Sequence, residues 1–117
     1  MVKRARGRED VPVTRGEVWW AALDPTIGSE IQKTRPCLVV SPAEINDYLR
    51  ITLVAPLTTG GRAAPYRIPV TFRGRAGLIL LDQLRALDRM RMIRRIGTVT
   101  GDTLRSTLAA LREMFEE

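Results

Sequence analysis

The feature that most constrains the fold of this chain is a succession of short apolar runs, most of them bounded by proline, glycine or aspartate. Runs of about four to eight apolar residues between turn residues are typical of β-strands, whereas helices need longer periodic stretches. We predict strands at 17–23, 37–40, 51–57, 67–72, 78–87 and 94–99. Pro69 places the fourth of these at a sheet edge or a bulge. Short strands at close spacing predict a mainly β fold, a small and strongly bent antiparallel sheet or barrel.

Two segments carry helix signals. Ser41-Pro42-Ala43-Glu44 has the pattern of a capping box with proline at the first helical position, so we predict a short helix ending near Leu49. After Thr100-Gly101-Asp102, four apolar residues share one helical stripe: Leu104, Leu108, Leu111 and Phe115. This stripe predicts a C-terminal helix that packs on the sheet or on a partner, and its polar face of mixed charge argues against a membrane.

The length of 117 residues suits a single domain with its own core, which we place at 14–117 behind a flexible basic arm at 1–13. The formal net charge of +6 predicts an acidic partner, with nucleic acid as the first choice. Of the 19 basic residues only Lys3 and Lys33 are lysine. Arginine offers a planar fork that suits phosphate groups, which favours the same choice.

Several kinds of chemistry are disfavoured by residues that the chain lacks. It has no histidine, the commonest general base and the commonest zinc ligand, and its carboxylates are scattered. We therefore expect no metal and no cofactor. Cys37 is the one cysteine and lies in an apolar run, so we interpret it as a buried small hydrophobe in a reducing compartment. Without an apolar segment long enough for a signal or a span, we expect a cytoplasmic protein that does not bind membranes.

The loop from Gly28 to Pro36 is the strongest candidate for function. Pro36 fixes its own φ and pushes Arg35 toward an extended conformation at the entrance of a strand. A guanidinium held there is well placed to clamp a phosphate in two-pronged fashion. The alternative is an ordinary surface loop with a solvated arginine, since loops carry both function and filler.

A series of short blocks, in this order, resembles the family of MazF/PemK-type toxins. The blocks are Arg15-Gly16-Glu17-Val18-Trp19, Leu23-Asp24-Pro25, Gly28-Ser29-Glu30, Thr34-Arg35-Pro36, Leu38-Val39-Val40-Ser41-Pro42, Ala55-Pro56-Leu57-Thr58-Thr59, Gly77 to Leu81, and Asp82-Gln83-Leu84-Arg85-Ala86-Leu87-Asp88. The resemblance covers about residues 14–116. Each block alone is weak evidence for the family. The resemblance is specific because all of the blocks occur in the same order as in the family.

The resemblance implies a fold, an activity and partners. The fold is an SH3-like barrel of antiparallel strands with added helices, working as a homodimer. The activity is that of a type II toxin, a metal-independent and sequence-selective endoribonuclease acting on single-stranded RNA or mRNA. Attack of the ribose 2′-OH leaves a 2′,3′-cyclic phosphate and a 5′-OH, and the partner is an antitoxin. The basic charge of this chain predicts that the antitoxin has an acidic tail that blocks the RNA groove.

The family's catalytic arginine and threonine fall on Arg35 and Thr58. Arg35 suits charge stabilisation on the phosphorane and donation to the leaving oxygen, but arginine is a poor base at neutral pH. Glu30 or water is therefore the candidate that accepts the 2′-OH proton, and Thr58 either donates to a phosphate oxygen or caps a strand end. The further candidates for substrate contacts are Ser29, Glu30, Gln32, Lys33, Thr59, Gln83 and Arg85.

Some of these interpretations have structural alternatives. Gln83 and Arg85 are predicted on one strand face with Leu87, as the floor of a groove, although Arg85 is equally suited to pairing with Asp88 or Asp24. Of the adjacent Trp19 and Trp20, which face opposite sides of a strand, at least one is predicted in the core, and the other is free to stack on a base. Where the family has a glutamine this chain has Ile31, which weakens any carried-over base contact there.

Two other functions remain possible for such a chain. One is a related-fold toxin that binds DNA gyrase, and the other is a catalytically silent, basic RNA-binding module. Neither requires an Arg-Pro motif together with Thr58, whereas the endoribonuclease does. RNA selectivity in the favoured case depends on the base edges of unstacked single strands.

Overall fold

The computed structural model describes residues 11–25, 27–31 and 33–117, so residues 1–10 of the arm predicted at 1–13 lie outside the described residues. The described chain forms seven strands, two helices and two 3₁₀ turns. The strands are β1 (Glu17–Ala22), β2 (Thr34–Val39), β3 (Ile51–Thr59), β4 (Arg67–Phe72), β5 (Arg75–Leu80), β6 (Arg85–Asp88) and β7 (Met92–Thr98). The helices are α1 (Ala43–Asn46) and α2 (Gly101–Met114), and the 3₁₀ turns lie at Leu81–Gln83 and Arg89–Arg91.

A single strand, β3, organises the antiparallel sheet, whose order is β4-β5-β3-β2-β1-β7. The first part of β3 pairs with β6, its middle pairs with β2, and its last three residues pair with β5. Because β3 pairs with three different strands along its length, the sheet is strongly curved. The result is a small barrel-like fold that does not close. The predicted fold class is confirmed. β4 lies at one end of the order, so Pro69 sits on an edge strand as predicted.

Both faces of the central strands are buried, which explains why their sequences read as nearly continuous apolar runs. The first core cluster contains Val13, Trp19, Ala21, Leu23, Cys37, Val39, Val54, Leu87 and Met92. The second cluster lies on the opposite faces of β1, β2 and β3 and also includes residues of β4, β5 and the first 3₁₀ turn; it contains Val18, Leu38, Val40, Ala55, Leu57, Val70, Ile79 and Leu81. Helix α2 covers the second cluster through Leu111 and Met114. Val13 is 2% exposed, so this last residue of the predicted arm belongs to the packed domain.

The predicted capping box at Ser41 is wrong. Helix α1 has only four residues, its N-cap is Pro42, and no side chain caps it. The Ser41 hydroxyl is instead buried, where it donates to Asn46 Oδ1 at 2.6 Å and accepts from the Leu53 amide at 2.9 Å. Asn46 also accepts from Thr52 Oγ1 at 2.9 Å and donates to the Ser41 carbonyl at 2.7 Å. The side chain that the pattern assigned to a helix end thus joins α1 to the sheet.

Three of the differences from the predicted strands bear most on the site. β2 begins at Thr34 rather than Cys37, because residues 34–36 already pair with β1. β7 begins two residues earlier than predicted, at Met92. The predicted strand 78–87 is broken at Leu81–Gln83 by a 3₁₀ turn, so β5 and β6 are separate strands and Gln83 shares no strand face with Arg85. The C-terminal helix is confirmed, with Thr100 as the N-cap accepting from the Thr103 amide.

Candidate functional site

Arg35 and Thr58 lie at neighbouring strand ends. The last backbone pair between β2 and β3 is Cys37 with Pro56. Continuing that register by two residues on each strand brings Arg35 opposite Thr58, with both side chains on the same sheet face as the Cys37–Pro56 pair. At Thr58, β3 pairs on its other edge with Leu78 of β5. The two residues therefore lie just past the end of the pairing between β2 and β3, on strands whose other edges stay paired with β1 and β5.

Both residues line one open cavity of about 420 Å³, which we name the arginine cavity. Its lining residues are Trp20, Arg35, Pro36, Leu57, Thr58, Thr59, Phe72, Arg73, Arg75, Arg94 and Ile96. Thr58 is half-buried, whereas Arg35 and Thr59 are exposed. The cavity thus combines two aromatic side chains, four arginines and two threonine hydroxyls.

A second cleft of about 580 Å³, which we name the loop cleft, lies beside the loop between β1 and β2. Its lining residues are Leu23, Ser29, Glu30, Ile31, Pro56, Arg67, Asp82, Gln83, Leu84, Arg85 and Ala86. Pro56 lines this cleft and Thr58 lines the arginine cavity. Because the two residues are two apart on β3, their side chains lie on the same side of that strand. The predicted site residues are therefore divided between two adjoining depressions rather than gathered in one groove.

The two depressions differ in charge. Four arginines and no carboxylate line the arginine cavity, for a formal charge of +4. Two arginines and two carboxylates line the loop cleft, for a formal charge of zero. There Arg67 forms a two-pronged pair with Asp82, with Nε to Oδ1 at 3.0 Å and Nη2 to Oδ2 at 2.7 Å. Hydrogen bonding to Arg67 lowers the pKa of Asp82 from its usual value.

Gln83 and Arg85 brace the loop between β1 and β2. Gln83 Oε1 accepts from the Ile31 amide at 2.8 Å, and Arg85 Nη1 donates to the Leu23 carbonyl at 3.2 Å. Asp24 Oδ1 accepts from the Lys33 amide at 2.9 Å. Both stems of the loop are therefore tied down. Neither of the ion pairs that we considered for Arg85, with Asp88 or Asp24, is formed: Asp88 lies 3.8 Å from Arg50 instead.

The remaining predicted residues are placed as follows. Ser29 and Glu30 line the loop cleft, where Glu30 Oε1 accepts from the Ile27 amide at 2.7 Å. Lys33 is exposed with φ of 68° and lines neither depression. Gln32 lies outside the described residues. Glu30, a candidate base, is thus in a different depression from Arg35 and Thr58.

The predicted burial of Cys37 and of one of the two tryptophans is confirmed. Cys37 is buried, and desolvation raises the pKa of its thiol to about 12 despite the opposing charge of Arg85, so it stays protonated at neutral pH. Trp19 is in the core at 4% exposed, while Trp20 is half-buried and lines the arginine cavity. Within the described ranges, no cluster of three or more carboxylate or thiol side chains is arranged to hold a metal ion. No helix of the described chain is long and apolar enough to cross a bilayer.

Sequence reasoning missed one wall of the arginine cavity. Arg73 and Arg75 lie between the strands predicted at 67–72 and 78–87 and had no assigned role, yet at the tip of the β4–β5 hairpin they line the cavity together with Phe72. Arg94 was placed on a strand without a role. The available signal was the pair of arginines around a hairpin glycine, but nothing in the sequence indicates which strand end the hairpin approaches.

The comparisons with known proteins agree on one family. Residues 14–115 match the model of the family described as PemK-like, MazF-like toxin of type II toxin–antitoxin system. Endoribonuclease PemK of Escherichia coli is 40% identical over 86 residues, covering 69% of this chain and 65% of that protein. Endoribonuclease toxin MazF of Escherichia coli K12 is 33% identical over 101 residues, covering 86% of this chain and 91% of that protein.

The fold is also shared with solved structures. MazF from Deinococcus radiodurans superposes with a TM-score of 0.78 at 27% identity, covering 90% of this chain and 97% of that one. A MazE–MazF structure from the same organism matches with a TM-score of 0.70 at 25% identity and the same coverage.

Proposed function

Because this chain belongs to the PemK-like, MazF-like toxin family of type II toxin–antitoxin systems, we propose that it is a metal-independent endoribonuclease that cuts single-stranded RNA at selected sequences. The observation that carries the proposal is that Arg35 and Thr58 line one cavity of formal charge +4. A phosphodiester bound there meets a two-pronged cation and a hydroxyl donor.

The proposed reaction is internal transfer at phosphorus. The 2′-oxygen of the ribose attacks the adjacent phosphate, the bond from phosphorus to the 5′-oxygen breaks, and a 2′,3′-cyclic phosphate and a 5′-OH result. Arg35 stabilises the charge that develops on the phosphorane and donates to the leaving oxygen, while Thr58 donates to a nonbridging oxygen. Among the described residues no carboxylate lines the cavity, so we assign the acceptance of the 2′-OH proton to water.

The loop cleft is the proposed base-reading surface. Ser29, Glu30 and Gln83 of this cleft, together with Thr59 of the arginine cavity, offer donors and acceptors to unstacked bases. Gln83 and Arg85 also fix the loop, so their replacement disturbs selectivity by moving that loop as well as by removing contacts. Gln32 and Lys33, from the same loop, complete the proposed set.

The proposed partners and location follow from the family and the charge. The MazE–MazF structure of Deinococcus radiodurans is a toxin with its antitoxin, and we propose that an antitoxin with an acidic tail covers the arginine cavity of this chain. We further propose that the chain acts as a homodimer in the cytoplasm, where its RNA substrate and its antitoxin meet it.

The test is digestion of a long single-stranded RNA by the purified protein in EDTA, followed by analysis of the new ends. We expect discrete cuts, with a cyclic phosphate on one product and a 5′-OH on the other. Intact RNA, or cutting that EDTA abolishes, contradicts the proposal.

The variants Arg35→Ala and Thr58→Val separate chemistry from folding. Loss of one donor to the developing charge typically costs about 10²–10³-fold in rate, so each variant should lose at least that while unfolding at an unchanged urea midpoint. The control variant is Arg105→Ala, on the exposed face of α2. It also removes one positive charge, but outside the arginine cavity, and should cut RNA at the wild-type rate. Full activity in Arg35→Ala shows that the chemistry resides elsewhere.

A further inference from the structure

The part of the arginine cavity formed by β7 and the β4–β5 hairpin has no role in the chemistry described above. Trp20 and Phe72 are half-buried there, while Arg73, Arg75 and Arg94 are exposed. A ring-lined depression with a cationic rim is the composition found where proteins bind single-stranded nucleic acid, because bases stack on the rings and phosphates meet the cations. The arginine cavity as a whole has a volume of about 420 Å³, which lies within the range usual for ligand pockets.

The wall of this subsite is held in place by specific contacts. Arg73 Nη2 donates to the Ile96 carbonyl at 2.5 Å, which ties the hairpin to β7. The same guanidinium lies over the Phe72 ring, 5.7 Å from its centroid. On the β7 side, a Cβ at Gly97 would come within 2.9 Å of the Phe72 ring, so glycine permits the ring to pack directly on that strand. Phe72 and Arg73 are thereby held in place as one platform.

Two cations of the rim are left available for a ligand. Within residues 11–25, 27–31 and 33–117, the side chains of Arg75 and Arg94 take part in no hydrogen bond or ion pair, whereas Arg73 is used by the wall. Arg75 lies opposite Phe72 at the end of the hairpin, and Arg94 lies opposite Trp20 on β7. Each cation therefore stands next to one of the two rings.

We propose that this subsite, formed by Trp20, Phe72, Arg75 and Arg94, binds a nucleotide that neighbours the scissile phosphate in single-stranded RNA. The base lies against the Trp20 and Phe72 rings, and the flanking phosphates meet Arg75 and Arg94. The subsite supplies affinity with little base preference, because every base has a face that stacks. The inference rests on the proposed function, since it places the RNA relative to Arg35 and Thr58.

The test measures binding without cleavage. Short single-stranded oligonucleotides of each base, fully 2′-O-methylated so that no 2′-OH can attack, are titrated into the protein while tryptophan emission is followed. We expect quenching with all four sequences, since Trp20 lines the subsite. The double variant Arg75→Gln/Arg94→Gln should bind at least tenfold more weakly. The slope of log affinity against log salt should fall by about 1.4, because each single-strand phosphate contact contributes about 0.7.

Two controls make the result decisive. Arg105→Gln/Arg112→Gln on α2 removes the same net charge and should change affinity less than twofold. Phe72→Leu keeps the apolar wall but removes the ring, and should weaken binding while leaving the salt slope unchanged. Wild-type affinity in Arg75→Gln/Arg94→Gln overturns the proposal, as does quenching by an acidic peptide with none by RNA.

The design also separates this inference from the proposed function. Binding that depends on Arg75 and Arg94 in a protein that cuts no RNA contradicts only the nuclease. RNA cutting by Arg75→Gln/Arg94→Gln with wild-type kcat/KM and wild-type affinity contradicts only the subsite.

Discussion

Gly77 is the point where β5 approaches the backbone of the proposed catalytic threonine, and Gly77→Ala tests that geometry. An ideal Cβ at Gly77 would lie 1.8 Å from the Thr58 carbonyl oxygen, 2.9 Å from the Thr58 carbonyl carbon and 3.3 Å from the Thr59 Cα. All three are backbone atoms, so no side-chain rotation relieves the clash. Gly77 lacks a left-handed φ, so alanine is unfavourable there only for steric reasons.

The magnitude follows from the distance. Real Cβ contacts essentially never fall under 3.0 Å, so β3 and β5 must separate by at least 1.2 Å, the difference between 3.0 and 1.8 Å. The pairs affected are Leu57–Ile79, Thr58–Leu78 and Thr59–Gly77. Losing two ladder hydrogen bonds at about 1 kcal/mol each, with about 1–3 kcal/mol of overpacking strain, destabilises the protein by roughly 3–5 kcal/mol. A displacement of about 1 Å at a catalytic group costs roughly 10²-fold in kcat/KM.

The assay combines urea unfolding, followed by tryptophan emission, with RNA cleavage at a temperature where the variant remains folded. Gly101→Ala is the matched control, since its Cβ meets only the flexible Arg105 guanidinium at 3.3 Å. At the first position of α2 it should stabilise by at most about 1 kcal/mol and leave cleavage unchanged. A Gly77→Ala protein with wild-type kcat/KM and less than about 1 kcal/mol of destabilisation refutes the contact that we describe.

Two further predictions concern the buried polar cluster and the loop cleft. Asn46→Ala removes three buried hydrogen bonds to Ser41 and Thr52, so at about 1 kcal/mol each it should lower the free energy of unfolding by roughly 3 kcal/mol; a loss below 1 kcal/mol in urea contradicts this. Because Arg67 lowers the folded-state pKa of Asp82, the pair stabilises the protein above the unfolded carboxyl pKa, near ~4, and this stabilisation is lost as pH falls through the lower folded value. The unfolding free energies of wild type and Asp82→Asn, measured from pH 7 downward, should therefore converge in acid, and a gap that widens below pH ~4 excludes the pair as its cause.

The elements of the fold were largely predictable because their signals are local. Alternation, turn residues and the Thr100 cap act within a few residues, so the strands and α2 were found. Ser41 shows the limit of such patterns. Its hydroxyl has two competing uses, and the buried Asn46 and Thr52, which the capping pattern does not include, decide between them.

The residues of the candidate site were predictable from the sequence, but their distribution between the loop cleft and the arginine cavity was not. Strand alternation fixes which side of β3 carries Thr58, but not that the pairing of β3 with β2 ends at Pro56 while its pairing with β5 on the other edge begins at Leu57. The 3₁₀ turn at 81–83 was likewise not predicted, since it contains no glycine or proline to mark it. It turns Gln83 toward the Ile31 amide, a partner 52 residues away that no local pattern reveals.

The contrast in charge between the two depressions has a consequence for how such a toxin diversifies. If the neutral loop cleft selects the sequence and the arginine cavity supplies the attraction to phosphate, substitutions in the loop alter which transcripts are cut while leaving overall RNA affinity in place. Selectivity and strength then become separately adjustable traits. A loop transplanted from a relative, with its Gln83 and Arg85 braces retained, should carry its target preference into this chain.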